Sequence, residues 1–176
     1  MKQTLKKRIE KIRLLIMDVD GVLTNGEIVI DHEGKELKVF HVQDGFSIVF
    51  FKRLGFKTAI ISARGSEAVQ FRAQDLGIDR VYMDVRPKTK AYEKLLEEFG
   101  LKDEEVCFLA DDLPDVCVFK KVGFAVAVNN AVEEVKKISH YVTKKEGGKG
   151  AVREVIELIL KVQGKWDNIL KEVGFS

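Results

Sequence analysis

The 176-residue chain has few of the residues that punctuate or cross-link a structure: two prolines, two cysteines, one tryptophan and three histidines. So little proline, with no low-complexity tract, argues against a disordered chain. His32, His41 and His140 have no metal-ligand spacing. Cys107 and Cys117 sit inside apolar runs without redox or zinc spacing, so they read as small buried residues in a reducing compartment, the cytoplasm. No apolar run exceeds strand length, which leaves no membrane-spanning helix. The basic residues Lys2, Lys6, Lys7 and Arg8 precede no signal-peptide core, so no targeting segment is expected. Charge of one sign is also missing: 30 basic and 28 acidic residues give a net charge of +2. That balance provides no electrostatic preference for nucleic acid or a membrane surface. No repeat of solenoid or propeller period occurs.

What is present is an alternation of short apolar runs with amphipathic stretches. Residues 13–17, 57–61, 80–83, 105–110 and 124–128 read as buried strands, with a short strand at 141–142. Helices are expected over 4–12, 45–54 with Asp44 as N-cap, 66–76, 87–99 with Pro87 in the first turn, from 112 or 113 onward, 131–138 and 151–162. Residues 27–30 and 36–40 flank a Gly34-containing turn and read as a β-hairpin. The expectation is one α/β domain over 1–176: a Rossmann-like, mostly parallel sheet with helices on both faces, plus the hairpin insert. Right-handed crossovers put every loop after a strand C-terminus at one sheet edge, where ligands bind.

Asp18, Asp20, Ser62, Lys88 and Asp111 all fall on those loops. Asp18 and Asp20 flank one residue directly after a strand, and carboxylates so close repel unless a cation or a proton lies between them. An oxygen-only donor set favours Mg²⁺. Taken singly, each Asp reads as a cap or turn former, Ser62 as a turn serine and Lys88 as a surface lysine. Their convergence on one edge overrides those readings.

The word Asp18-Val19-Asp20-Gly21-Val22 resembles the first motif of the haloacid dehalogenase superfamily. Ser62 is similar to its second motif, Lys88 to its third, and Ala110-Asp111-Asp112-Leu113-Pro114-Asp115 to its acidic fourth. The resemblance implies that Asp18 attacks phosphorus and that Asp20 acts as general acid and base. It implies Mg²⁺ held by the Asp18 and Asp111 carboxylates and the Asp20 main-chain carbonyl. Ser62 would donate to the phosphoryl oxygens, Lys88 would stand beside them, and Asp112 and Asp115 would lie behind the ligands. The spaces between motifs hold only the hairpin and single helical units, so no cap domain is expected.

Four further words, DVDGVLTN from Asp18, HVQDG from His41, SARG from Ser62 and GGKGAVRE from Gly147, resemble the 3-deoxy-D-manno-octulosonate 8-phosphate phosphatases. This resemblance implies a cytoplasmic homotetramer in lipopolysaccharide sugar synthesis, acting on a small sugar-acid phosphate. It makes Arg64, Arg72, Gln43, Asp44, Gly45 and Asn25 candidates for phosphate or substrate binding. Gln43 and Val49 stand where relatives often carry basic residues. Trp166, Leu170 and Phe175 lie on a C-terminal tail, 165–176, with little to pack on, which suggests contact with a neighbouring subunit near its site. Alternatives are a nine-carbon, sialic-acid-type 9-phosphate as substrate, a catalytically silent oligomerisation module, and a phosphoacceptor receiver domain.

Overall fold

The structure, a computed structural model, describes residues 3–175; Lys2 and Ser176 lie outside the described residues. The strands are β1 (Leu14–Met17), β2 (Val29–Ile30), β3 (Glu36–Leu37), β4 (Lys57–Ile61), β5 (Arg80–Tyr82), β6 (Val106–Ala110), β7 (Phe124–Ala127) and β8 (Tyr141–Val142). The helices are α1 (Gln3–Ile9), α2 (Val42–Arg53), α3 (Glu67–Asp75), α4 (Thr89–Phe99), α5 (Val116–Phe119), α6 (Glu133–Ile138), α7 (Ala151–Val162) and α8 (Trp166–Glu172).

Six strands form one sheet in the order β5-β4-β1-β6-β7-β8, and every pairing in it is parallel. Residues of β1, β6 and β7 are buried throughout, as expected of strands covered on both faces. Leu14 pairs with both Lys57 and Val106, so β1 is central and its C-terminal end delivers Asp18 to the middle of the edge. Helix α7 carries a strong apolar face, Val152, Val155, Ile156, Ile159 and Leu160, all fully buried. It packs against α2. The hairpin β2–β3 forms a separate two-stranded sheet, and no further insert occurs among the described residues, so the fold has no cap domain.

Four local expectations are corrected. Helix α2 begins at Val42, with His41 in the N-cap position, and Asp44 lies in its first turn. The Asp44 carboxylate instead accepts hydrogen bonds from Gly150 N at 3.3 Å and Arg153 N at 2.7 Å, capping α7 across the fold. Helix α4 begins at Thr89, with Lys88 in the N-cap position, so Pro87 precedes the helix and does not lie in its first turn. The tail is not free of the body. Trp166 and Ile169 of α8 pack on the core, and the Arg153 guanidinium lies 4.9 Å from the Trp166 ring centroid. Finally, Cys117 is only partly buried, whereas Cys107 is fully enclosed; both are free thiols.

Candidate active site

The loops after β1, β4 and β6 and the start of α4 meet around a cavity of about 280 Å³. Asp18, Asp20, Ser62, Arg64, Lys88 and Asp111 all line it, with Arg86, Asp112 and Asp115. Asp18, Ser62 and Asp111 directly follow the buried strands β1, β4 and β6, so the sheet fixes the backbone from which they project. Asp18 N, for instance, donates to Leu109 O of β6 at 3.1 Å, continuing the ladder one residue beyond β1.

Lys88 is the electrostatic centre. Its ammonium is buried, 2.9 Å from Asp18 Oδ1 and 2.5 Å from Asp115 Oδ1. Burial pulls its pKa down, but Asp18 and Asp115 more than offset that and hold it above the usual lysine value. The acids feel the opposite pressure. Burial, then the neighbouring Asp18, Asp115 and Asp112, push Asp111 up to about 8. Burial and Asp18 raise Asp115 to about 7 despite Lys88. Burial also raises Asp18, against the pull of Lys88.

This crowding suits a cation. Oxygens of Asp18, Asp111 and Asp115 lie within 4.8 Å of one another, and Asp111 Oδ1 and Asp115 Oδ2 are buried without hydrogen-bond partners. Gly21, at φ 86°, leaves room for this approach, since a Cβ there would overlap the Asp111 carboxylate. All donors are carboxylate oxygens, the set preferred by Mg²⁺. Asp18 and Asp115 each also give one oxygen to Lys88, so the three carboxylates share a single buried ammonium and could hold the ion with their remaining oxygens.

Ser62 Oγ accepts a hydrogen bond from Arg64 N at 3.1 Å, which leaves its own proton to donate. Two hairpin residues that the sequence did not mark reach the site. Lys38 Nζ lies 2.5 Å from both Asp20 Oδ1 and Glu36 Oε1, and Arg64 Nη2 lies 2.5 Å from Glu36 Oε2. Their signal in the sequence is a Glu-x-Lys alternation one hairpin strand away from the Asp-x-Asp loop. Arg86, also missed, lines the cavity and stands two residues before Lys88.

The remaining candidates are not brought to the cavity. Arg72 Nη1 pairs with Asp75 at 2.6 Å, and its guanidinium lies against Gly45, where a Cβ would clash. Asp44 is spent on α7. Gln43 lines a separate groove with Lys144, Lys145, Lys149 and Arg153. Asn25 Oδ1 accepts from Glu27 N at 3.1 Å and shapes the start of the hairpin. The Gly147-Gly148 pair packs on the catalytic loop: Gly148 N donates to Val22 O at 2.9 Å, and a Cβ at Gly147 would collide with the Gly21 backbone.

Comparison with known proteins agrees with this geometry. The profile of haloacid dehalogenase-like hydrolases matches residues 80–156. The chain is 43% identical over 160 residues to the 3-deoxy-D-manno-octulosonate 8-phosphate phosphatase KdsC of Escherichia coli K12, covering 91% of this chain and 85% of the relative. The phosphatase of the same name from Moraxella catarrhalis, solved with magnesium, phosphate and KDO, superposes with a TM-score of 0.95. It is 38% identical and covers 98% of this chain and 99% of its own. That of Yersinia pestis superposes with a TM-score of 0.93 at 40% identity, covering 95% and 90%. On identity of this extent along nearly the whole chain, it belongs to the 3-deoxy-D-manno-octulosonate 8-phosphate phosphatase family of haloacid dehalogenase-like hydrolases.

Proposed function

We propose that the chain is a Mg²⁺-dependent phosphoric monoester hydrolase that converts 3-deoxy-D-manno-octulosonate 8-phosphate to the free sugar acid and phosphate. The observation that carries this reading is the buried Lys88 bridging Asp18 and Asp115, with Asp111 beside them, in a chain related to these phosphatases along nearly its whole length.

The residues divide the work. Lys88 opposes the burial that favours a protonated Asp18 and fixes the direction of its attack. An Asp18 oxygen bonds to phosphorus as the bond from phosphorus to the sugar oxygen breaks, and Asp20 gives that oxygen its proton. Asp20 then takes a proton from the water that opens the aspartyl-phosphate, which restores Asp18 and releases phosphate. Ser62 and Lys88 donate to the phosphoryl oxygens as their charge shifts. Mg²⁺, when held by Asp18, Asp111 and the Asp20 carbonyl, offsets the repulsion between the anionic nucleophile and the phosphate. Arg64, at the cavity wall, suits an anionic group of the sugar acid.

The reading extends to assembly. We take residues 1–176 as one domain that works in the cytoplasm as a homotetramer. What supports assembly is the outer face of the hairpin, where Ile28, Val29, Ile30, Leu37 and Val39 are exposed together. On α8 and beyond, Val173 and Phe175 remain exposed and offer a neighbour a second contact.

Phosphate release from the octulosonate 8-phosphate, with Mg²⁺ and with EDTA, tests the function. Wild type is expected to turn over rapidly only with metal, and Asp18→Asn to be inactive. Faster turnover of a nine-carbon 9-phosphate would move the substrate assignment. Failure on both would remove the hydrolase reading.

A further inference from the structure

The hairpin is inverted in polarity. Leu37 and Val39 are 53% and 75% exposed, while the side chain of Lys38 between them is 3% exposed. Alternate residues of an extended strand face opposite sides, so Glu36 and Lys38 share the inner face. There they join Asp20 and Arg64 in a ring of alternating charge. Lys38 Nζ lies 2.5 Å from Asp20 Oδ1 and from Glu36 Oε1. Glu36 Oε2 lies 2.5 Å from Arg64 Nη2, and Arg64 Nη1 lies 3.7 Å from Asp20 Oδ2.

A lysine ordered along its whole stem gives up about 1.5–2 kcal/mol of rotamer entropy, and burying its charge costs more unless it is paired. Surface hairpins do not ordinarily bear that cost. An aspartate has the converse problem, because its χ2 torsion is broad and nearly two-fold, so a carboxylate on a loop swings. Lys38 on one oxygen and Arg64 towards the other hold both oxygens of Asp20.

We propose that Lys38 is a positioning residue for Asp20, fixing the carboxylate within reach of the leaving oxygen, so that the hairpin forms part of the catalytic assembly. The proposal rests on the acid/base reading of Asp20 given above. Lys38 itself does not meet the substrate, since its ammonium is enclosed between two carboxylates. Proton transfer needs a heavy-atom distance of about 2.6–3.2 Å, and a displacement of about 1 Å costs about a hundredfold in rate.

The test is release of the leaving group in single turnovers with enzyme in excess. Two phosphates are compared. The octulosonate 8-phosphate leaves as an alkoxide that needs a proton, whereas p-nitrophenyl phosphate leaves as a phenolate that does not. Asp20→Asn is expected to slow the sugar phosphate far more than the aryl phosphate. Lys38→Met should repeat that preference, with about a tenfold or larger loss on the sugar phosphate and less than about threefold on the aryl phosphate. Lys38→Arg should recover much of the loss. Adding Lys38→Met to Asp20→Asn should cost nothing further, because the two act as a unit. Glu36→Gln, which frees the other partner of Lys38, should give a milder version and serves if Lys38→Met does not fold. Equal losses on both substrates from the Lys38 and Glu36 variants, or additive losses in the double variant, would overturn the proposal while leaving Asp20 as the acid. No substrate preference in Asp20→Asn would instead sink the acid/base reading, and the proposal with it.

Discussion

Asp115 holds Lys88 at 2.5 Å in a fully buried contact, while the same ammonium reaches Asp18 at 2.9 Å. Asp18, the proposed nucleophile, is therefore oriented by a lysine that is itself oriented. Asp115→Ala leaves a buried ammonium with one partner lost. It should cost about 3–5 kcal/mol of stability. Turnover should fall by about a hundredfold at saturating Mg²⁺ as Lys88 moves. Thermal melting and phosphate release check the two effects. A variant with a normal melt and normal turnover would show that Lys88 needs no second anchor.

Gly21 and Gly34 share a left-handed backbone, φ 86° and 81°, but not their surroundings. A Cβ at Gly21 overlaps the Asp111 carboxylate, whereas one at Gly34 meets nothing within 4 Å. Alanine at either position should cost about 1–2 kcal/mol in backbone strain. Only Gly21→Ala should also weaken Mg²⁺ binding and activity. A Mg²⁺ titration followed by melting temperature separates the two, and equal metal responses would dissociate Gly21 from the metal site.

The raised acids predict how metal and pH interact. Asp111, at about 8, and Asp115, at about 7, bind protons in the folded protein that they would lose unfolded, where their ordinary value is 3.8. The metal-free protein keeps that stabilisation fully below about pH 4 and loses it as pH rises through about 7 to 8. Metal takes the place of those protons. The rise in melting temperature on replacing EDTA by Mg²⁺ should thus grow between pH 5.5 and pH 8.5. A constant increment across that range would count against the acidic trio as the metal site.

Asp44 should behave as structure rather than as a substrate group. Its carboxylate caps α7 through Gly150 N and Arg153 N. Asp44→Ala should lose about 1–2 kcal/mol, the usual cost of a lost cap. KM should stay within about twofold of wild type, since no substrate contact is removed. A large rise in KM with an unchanged melt would return Asp44 to the binding site.

The centre of the sheet was legible because β1 and β6 are short, wholly apolar and followed directly by Asp18 and Asp111, as β4 is by Ser62, a strong local signal. Strands at 57–61 and 141–142 and helix 151–162 appear with the expected bounds. What stayed hidden depends on partners distant in sequence. Asp44 looked like the cap of its own helix, because the N–H groups it serves lie more than a hundred residues away. Lys38 went unmarked within the hairpin strand, because alternation alone does not say which face is inside. The start of α4 was displaced because a proline near a helix start reads alike whether it lies in the first turn or just before the N-cap.

The hairpin stores its arrangement in a count of residues. Val29 stands opposite Leu37 and Ile30 opposite Glu36, joined by a turn in which Asp31 Oδ1 accepts from both Glu33 N and Lys35 N at 2.9 Å. Losing one residue from that turn would slide the second strand by one place and turn every side chain over. Leu37 and Val39 would then face Asp20, and Glu36 and Lys38 would face outward. A loop on the surface of a protein normally tolerates changes of length more readily than changes in a catalytic word. Here single-codon deletions in an exposed turn should be purged as strictly as loss of Asp18, while substitutions in the same turn, apart from Asp31 and Gly34, should be tolerated.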